Sequence, residues 1–273
     1  MSQTNSMKIF FTDLDGTLLN HEKKITPDTL SALEQWTAAG NYFAICTGRA
    51  LDSAMEVHRT LQLHFPGTFL IGSNGGEIYD CSQACMISRI ALTLEQTALV
   101  MKIAKEQGVH CHTYTDTHIV SPADDEQLTY YRRVIHTPVI ICEDVVSALE
   151  RGACKCIAVE LHDKEKLERF RQTLLPLVEG ELTLLYSNDN YLEIFPASSG
   201  KGSAVRILCD YLHIPTANAL AAGDEANDIS MIQAAGTGIA MLNAKDEVKA
   251  AADLVTAADN DHDGLAPILR AHL

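Results

Sequence analysis

No run of about eighteen apolar residues occurs anywhere in the 273-residue chain, so no membrane span is expected. Basic residues are scarce: 21 Lys and Arg stand against 36 Asp and Glu, a formal charge of −15. That balance excludes a broad basic field for a nucleic-acid backbone, so a phosphate-bearing ligand must be held locally. None of the eight cysteines, at 46, 81, 85, 111, 142, 154, 156 and 209, forms a Cys-x-x-Cys pair. Several lie in apolar strand-like runs and read as reduced thiols of a cytoplasmic protein rather than as a disulfide framework. Met1 to Lys8 lacks the apolar core of a signal peptide. There is no internal repeat and no low-complexity linker. The histidines are scattered. His110-x-His112, with His118 nearby, has no cysteine or carboxylate to complete a zinc set and reads as exposed strand histidines.

What is present is the composition of a folded globular protein, 47% hydrophobic and 21% charged, sufficient for a core with a second domain. A monomer or homodimer is expected. Ile9 to Thr12 is an apolar, β-branched run that predicts a buried strand, and Gly16 turns the chain after it. Thr26-Pro27-Asp28 predicts a helix start with a capping hydroxyl and proline in the first turn. A second strand over 41–46 stops at Thr47-Gly48-Arg49, and a third over 69–71 stops at Gly72-Ser73-Asn74-Gly75-Gly76. This β-α-β-α-β rhythm is that of a doubly wound parallel sheet.

The rhythm breaks near residue 82. A strand over 86–92, a helix over 93–107, a hairpin over 109–121, a polar helix over 124–135, a strand over 154–161, a helix over 163–177 and a closing hairpin over 181–195 predict an inserted α+β domain at 83–191. The core comprises 1–82 and 192–273. The parallel pattern resumes with a helix opened by Gly200-Lys201-Gly202 and a strand over 219–222 that ends in Gly223-Asp224-Glu225-Ala226-Asn227-Asp228.

In such a sheet these strand ends meet on one edge. They carry Asp13 and Asp15, two residues apart and so facing one side, with Thr47, Asn74, Asp224 and Asp228; Lys201 enters the same edge. Carboxylates with one lysine and no histidine favour a hard, oxygen-loving ion, Mg²⁺ over zinc. The anionic partner for such an ion is phosphate. A carboxylate aimed at a phosphoryl group can attack it, and a second can protonate the leaving oxygen and then activate water. An EF-hand is excluded because Asn20 to Lys24 supply no closing ligand set.

These motifs resemble the haloacid dehalogenase-like phosphatases, and most closely their Cof-type branch with a large inserted cap. Asp13-Leu14-Asp15-Gly16-Thr17 is similar to the first motif, Cys46-Thr47-Gly48-Arg49 to the second, Ser199-Gly200-Lys201-Gly202 to the third, and Gly223 to Asp228 with Ile229-Ser230-Met231 to the fourth. The resemblance implies that Asp13 is the nucleophile and Asp15 the acid/base, its side chain left free to carry a proton. Lys201 would stabilise the charge of the nucleophile and of the phosphoryl group. It implies Mg²⁺ on Asp13, Asp224 and the backbone carbonyl of Asp15, with Asp228 supporting the metal site. Thr47 and Gly48 would bind phosphate, and Asn74 and Asn227 would lie by the phosphate or substrate. Glu225 departs from the Asn, Asp or Ser common after that aspartate. Arg49 could bind a ligand or pair with an acid, and a structural ion pair is the favoured reading. In the cap, His112, Tyr114, Tyr130 and Tyr186 are candidates for lining a substrate pocket. The implied function is Mg²⁺-dependent hydrolysis of a small phosphorylated metabolite, a sugar phosphate first. The alternatives are a phosphomutase using the same aspartyl-phosphate and a non-catalytic phosphosugar sensor.

Overall fold

The structure, a computed structural model, describes residues 7–133, 135 and 137–273. The polar start of the chain, at 1–6, lies outside them. Two compact units are present. One contains the chain up to Arg49, Ala54–Ser88 and Gly200–Leu273; the other contains Ala50–Ser53 and Arg89–Ser199.

The chain first forms β1 (Ile9–Thr12), α1 (Pro27–Ala38), β2 (Tyr42–Cys46), α2 (Leu51–Thr60), β3 (Thr68–Gly72), β4 (Glu77–Asp80) and β5 (Cys85–Arg89). The second unit follows with α3 (Leu94–Gln107), β6 (His110–Tyr114), β7 (Ile119–Ser121), α4 (Glu126–Tyr131), β8 (Val139–Ile141), β9 (Cys156–Val159), α5 (Lys164–Val178), β10 (Leu182–Asn188) and β11 (Tyr191–Pro196). The chain then returns as α6 (Lys201–Leu212), β12 (Ala219–Gly223), α7 (Ile229–Ala234), β13 (Thr237–Ala240), α8 (Asp246–Ala251), β14 (Leu254–Val255) and α9 (Ala266–Ala271).

The first unit is built on an eight-stranded sheet in the order β14-β13-β12-β1-β2-β3-β4-β5. Pairing is parallel from β14 to β3, and β4 runs antiparallel to β3. The sheet is covered on both faces, as the unbroken apolar runs require. Ile9 and Phe11 pack toward Val205 and Leu208 of α6 and Met231 of α7. Phe10 points the other way, edge-on to Trp36 of α1 and stacked with Phe43. Burying each such ring is worth roughly 2–3 kcal/mol.

The start of α1 differs from expectation. Thr26 makes no side-chain cap; Asp263 Oδ1 instead accepts from the N–H groups of Asp28 and Thr29 at 3.1 and 2.9 Å. A carboxylate from a distant loop brings charge to the helix dipole as well as an acceptor, which a hydroxyl does not.

The second unit has a six-stranded sheet in the order β10-β11-β9-β6-β7-β8, antiparallel except for β7 with β8. The break between units falls at Ser88/Arg89 and Ser199/Gly200, whereas the sequence placed it at 82/83 and 191/192. The β4–β5 segment extends the first sheet, while β11 pairs with β9 and β10. The polar helix expected over 124–135 is the shorter α4, and residue 134 lies outside the described residues. His110 and His112 are buried rather than exposed. His110 Nδ1 meets Asp125 Oδ2 at 2.7 Å and its Nε2 meets His112 Nδ1 at 3.1 Å, so the pair is a hydrogen-bonded chain inside the unit. The cap residues named from sequence separate. Tyr114 bonds the Tyr131 hydroxyl, whereas Tyr186 packs with the cluster that holds Cys111 and Phe170 and donates to Glu168 at 2.9 Å.

Candidate active site

In the first sheet β1 lies between β2, the next strand in the chain, and β12, which comes from the far end of the unit. Parallel strands share one carboxyl edge, and a crevice opens where the order reverses. β1, β2, β3 and β12 deliver their following loops to that edge.

Asp13 follows β1, with its N–H on Ala222 O at 2.9 Å, which locks the loop to β12. Lys201 is the first residue of α6, and its side chain is 0% exposed. Its Nζ donates to Asp13 Oδ1 and to Asp228 Oδ1, both at 2.5 Å. Asp228 is equally buried; its Oδ2 accepts the backbone N–H groups of Asp224 and Glu225 at 3.0 Å each. Gly202 lets α6 come this close to α7, because a Cβ there would run into the carbonyl of Ser230.

Asp224, at the end of β12, accepts from the Thr17 hydroxyl at 2.6 Å. Gly16 sits against it with φ +84°, and a Cβ at that position would collide with the Asp224 carboxylate. The glycine therefore serves both the turn and the approach. Asp13, Asp224 and Asp228 each offer an oxygen within 4.8 Å of the others.

Three buried carboxylates share one ammonium, and the imbalance is felt. Burial raises the Asp13 carboxyl well above its usual range; Lys201 opposes this, while Asp228 and Asp224 add to it. Burial likewise pushes Asp224 up to about 6, against the Thr17 hydrogen bond and with the charge of Asp228. Lys201 is disfavoured as a cation by burial, but Asp13 and Asp228 outweigh that and hold it charged. Burial pushes the neighbouring Cys46 thiol up to about 12, so it is no thiolate ligand. An all-oxygen donor set with surplus negative charge fits a hard dication such as Mg²⁺, and not zinc.

Asp15 stands apart from that cluster. Arg49 Nε and Nη2 donate to its Oδ2 and Oδ1, and Lys23 Nζ donates to Oδ1, all at 2.8 Å. Burial alone would raise this carboxyl, but the bonds and charge of Arg49, then of Lys23, hold it below the usual range. The side chain expected to be free to carry a proton is thus bound to two cations. The ion pair read for Arg49 is present, and Asp15 is its partner.

Thr47 is buried at the end of β2, where its Oγ1 accepts from the Arg49 N–H at 3.2 Å and its carbonyl from the Asn74 N–H at 3.1 Å. Ser73, Asn74 and Gly75 have φ of +52°, +53° and +93°, three left-handed residues in succession. This costly backbone places the Asn74 amide beside Gly48 and lets Asn227 Nδ2 donate to Asn74 Oδ1 at 3.1 Å. The expected phosphate-side residues Thr47, Gly48, Asn74 and Asn227 therefore meet. The sequence reading assigned no role to Thr17 or Lys23, nor to Asn243 and Asn260, which tie down the loop after β1 through Gly16 O and Leu19 O at 2.8 Å each. Thr17 stands inside the first motif; Lys23 carries no sequence signal.

Residues 10–269 match the model of a family described as haloacid dehalogenase-like hydrolase. The 5-amino-6-(5-phospho-D-ribitylamino)uracil phosphatase YwtE of Bacillus subtilis (strain 168) is 32% identical over 285 residues, covering 95% of this chain and 96% of that protein. The pyridoxal phosphate phosphatase YbhA of Escherichia coli (strain K12) is 29% identical over 278 residues, covering 97% and 98%. A crystal structure of a haloacid dehalogenase-like hydrolase from Bacteroides thetaiotaomicron superposes with a TM-score of 0.88 at 27% identity, covering 98% of this chain and 100% of that one.

Proposed function

The chain belongs to the haloacid dehalogenase-like hydrolases, and on that premise we infer that it is a Mg²⁺-dependent phosphatase of small phosphorylated metabolites. The observation that carries this is the buried Asp13–Lys201–Asp228 triad with Asp224 beside it. A charged lysine at that depth opposes the burial that favours the neutral Asp13 and aims its carboxylate, as a nucleophile requires.

In this reading an Asp13 oxygen attacks phosphorus and the bond to the leaving oxygen breaks. The electron pair goes to that oxygen, which takes a proton from Asp15, itself first protonated from solvent, and departs as the alcohol. Water then attacks the aspartyl-phosphate, Asp15 takes a proton from it, and the phosphorus–Asp13 bond breaks. The products are inorganic phosphate and the original carboxylate. Lys201 offsets charge on Asp13 throughout, and the Thr47 hydroxyl holds a phosphoryl oxygen. Asp13, Asp224 and the Asp15 carbonyl would hold Mg²⁺, with Asp228 in support; when bound it neutralises phosphoryl charge.

The substrate reading is a sugar or polyol phosphate, supported by the phosphoribityl compound in the name of the YwtE relative. We place the choice of leaving group in the 89–199 unit, which holds none of these side chains. The buried thiols of Cys46, Cys111, Cys156 and Cys209 support a cytoplasmic location.

The experiment is phosphate release from p-nitrophenyl phosphate and a panel of sugar phosphates with Mg²⁺. Asp13→Asn and EDTA should each remove turnover. Full activity in either case would sink the mechanism. Isomer interconversion without phosphate release would make the protein a mutase, and binding without turnover would make it a sensor.

A further inference from the structure

This inference rests on the reading of Asp15 as the acid that serves the leaving oxygen. In the free protein that carboxylate is already occupied. The Arg49 fork takes both oxygens and Lys23 takes one of them again. Fork-on-carboxylate pairing is the strong, directional form of an ion pair. Three donors fill most of the about four lone-pair sites of the carboxylate, and two of the three are from Arg49, so movement of Arg49 frees both oxygens toward a leaving group.

The backbone of Arg49 is fixed where the phosphoryl group is expected. Its N–H donates to Thr47 Oγ1 at 3.2 Å and its carbonyl accepts from Ser73 N–H at 2.7 Å. The strained Ser73-Asn74-Gly75 turn therefore holds the root of the side chain against the proposed phosphate residues. Only the long side chain is left to change partner. The seat it would take is chemically equivalent, since a guanidinium matches two phosphoryl oxygens as well as two carboxylate oxygens. The Lys23 pair is more exposed, its lysine side chain 63% accessible, and such a pair holds weakly.

We propose that Arg49 is a positioning residue with two seats. In the free enzyme it parks the Asp15 carboxylate. When a phosphate monoester enters, its guanidinium passes to the phosphoryl oxygens, and Asp15 is released toward the leaving oxygen.

The test is Arg49→Ala with Mg²⁺ present, read on p-nitrophenyl phosphate, whose leaving group needs no proton, and on glycerol 2-phosphate, whose leaving group does. KM should rise at least about tenfold on both, the loss of a charged hydrogen-bonded contact. The ratio of the two kcat values should stay within about threefold of wild type, and affinity for inorganic phosphate by calorimetry should fall with KM. A loss of kcat confined to glycerol 2-phosphate, with KM and phosphate affinity unchanged, would show that Arg49 stays on Asp15 through turnover and overturn the proposal. No change in any of these would overturn it too. Arg49→Lys keeps the charge and loses the fork; if the alanine variant does not fold, the same KM rise is expected from lysine, and its absence refutes. If wild type releases no phosphate from either ester, the phosphatase reading falls, while the phosphate titration of wild type against variant still decides whether Arg49 meets a phosphoryl anion.

Discussion

Lys201→Met is the substitution whose cost follows most directly from the geometry. Two ion pairs at 2.5 Å meet on one ammonium that is fully buried. At an effective dielectric of about 20 each pair is worth roughly 7 kcal/mol of attraction, offset by several kcal/mol of desolvation per ion. Methionine fills most of the volume but leaves the desolvation of Asp13 and Asp228 uncompensated. Breaking such a buried pair typically costs about 3–5 kcal/mol. At roughly 2–4 °C per kcal/mol for a protein of this size, the melting midpoint should fall by about 6–20 °C. Trp36, the only tryptophan, is buried in the first unit, so its fluorescence follows that unit's unfolding rather than a mixture of two transitions. The sign with pH is fixed. The Lys201 pKa is raised on folding, so its stabilisation is complete at neutral pH and is lost only in strong alkali. The Asp13 pKa is also raised, so an Asp13 without its lysine is least costly in acid and more costly as pH climbs. The deficit should be larger at pH 8 than at pH 5. A variant that melts within about 2 °C of wild type at pH 8 would refute the buried triad.

Three further outcomes are expected. Because the folded Asp224 pKa lies near 6, above the usual carboxylate value, its ionised form costs stability as pH rises through 6, and a cation relieves that cost. Calorimetry should therefore show Mg²⁺ binding at pH 8 that weakens markedly and takes up a smaller share of the protein at pH 5, with proton release near pH 6; pH-independent affinity would contradict this. Gly16→Ala puts a Cβ into the Asp224 carboxylate at φ +84° and should lower stability by roughly 1–3 kcal/mol and Mg²⁺ affinity by tenfold or more, read by melting and titration. Asp263→Ala should cost roughly 1 kcal/mol by uncapping α1, whereas Thr26→Ala should cost little, since Thr26 provides no side-chain cap.

The strands β1, β2, β3 and β12 were legible because each is a continuous apolar run closed by a polar or glycine stop, and those stops carry the candidate site. β8 is a short edge strand with too few residues for periodicity to register. Long-range polar contacts were not legible at all. Nothing local in Thr26 says that Asp263 will reach its helix first, and nothing in Lys23 says that it turns back to Asp15. The histidines misled for a related reason: alternation predicts a side, but Asp125, which makes burial of His110 tolerable, comes from a helix after the next strand. The two roles given to Asp13 and Asp15 come from the resemblance, and only the folded chain displays their partners, Lys201 for one and Arg49 with Lys23 for the other.

The position of β1 in the sheet also has a meaning for synthesis. Ile9 to Thr12 pair on one side with Tyr42 to Ile45 and on the other with Ala219 to Ala222. A nascent chain on the ribosome can close the first contact early, but the second waits until β12 has been made. Until then β1 presents a bare edge, and the side of Ile9 and Phe11 awaits α6 and α7, an apolar surface open to association in the meantime. Asp13 is made before the whole second unit, and Lys201, Asp224 and Asp228 after it. The buried cluster they form therefore closes only once that intervening unit has been made.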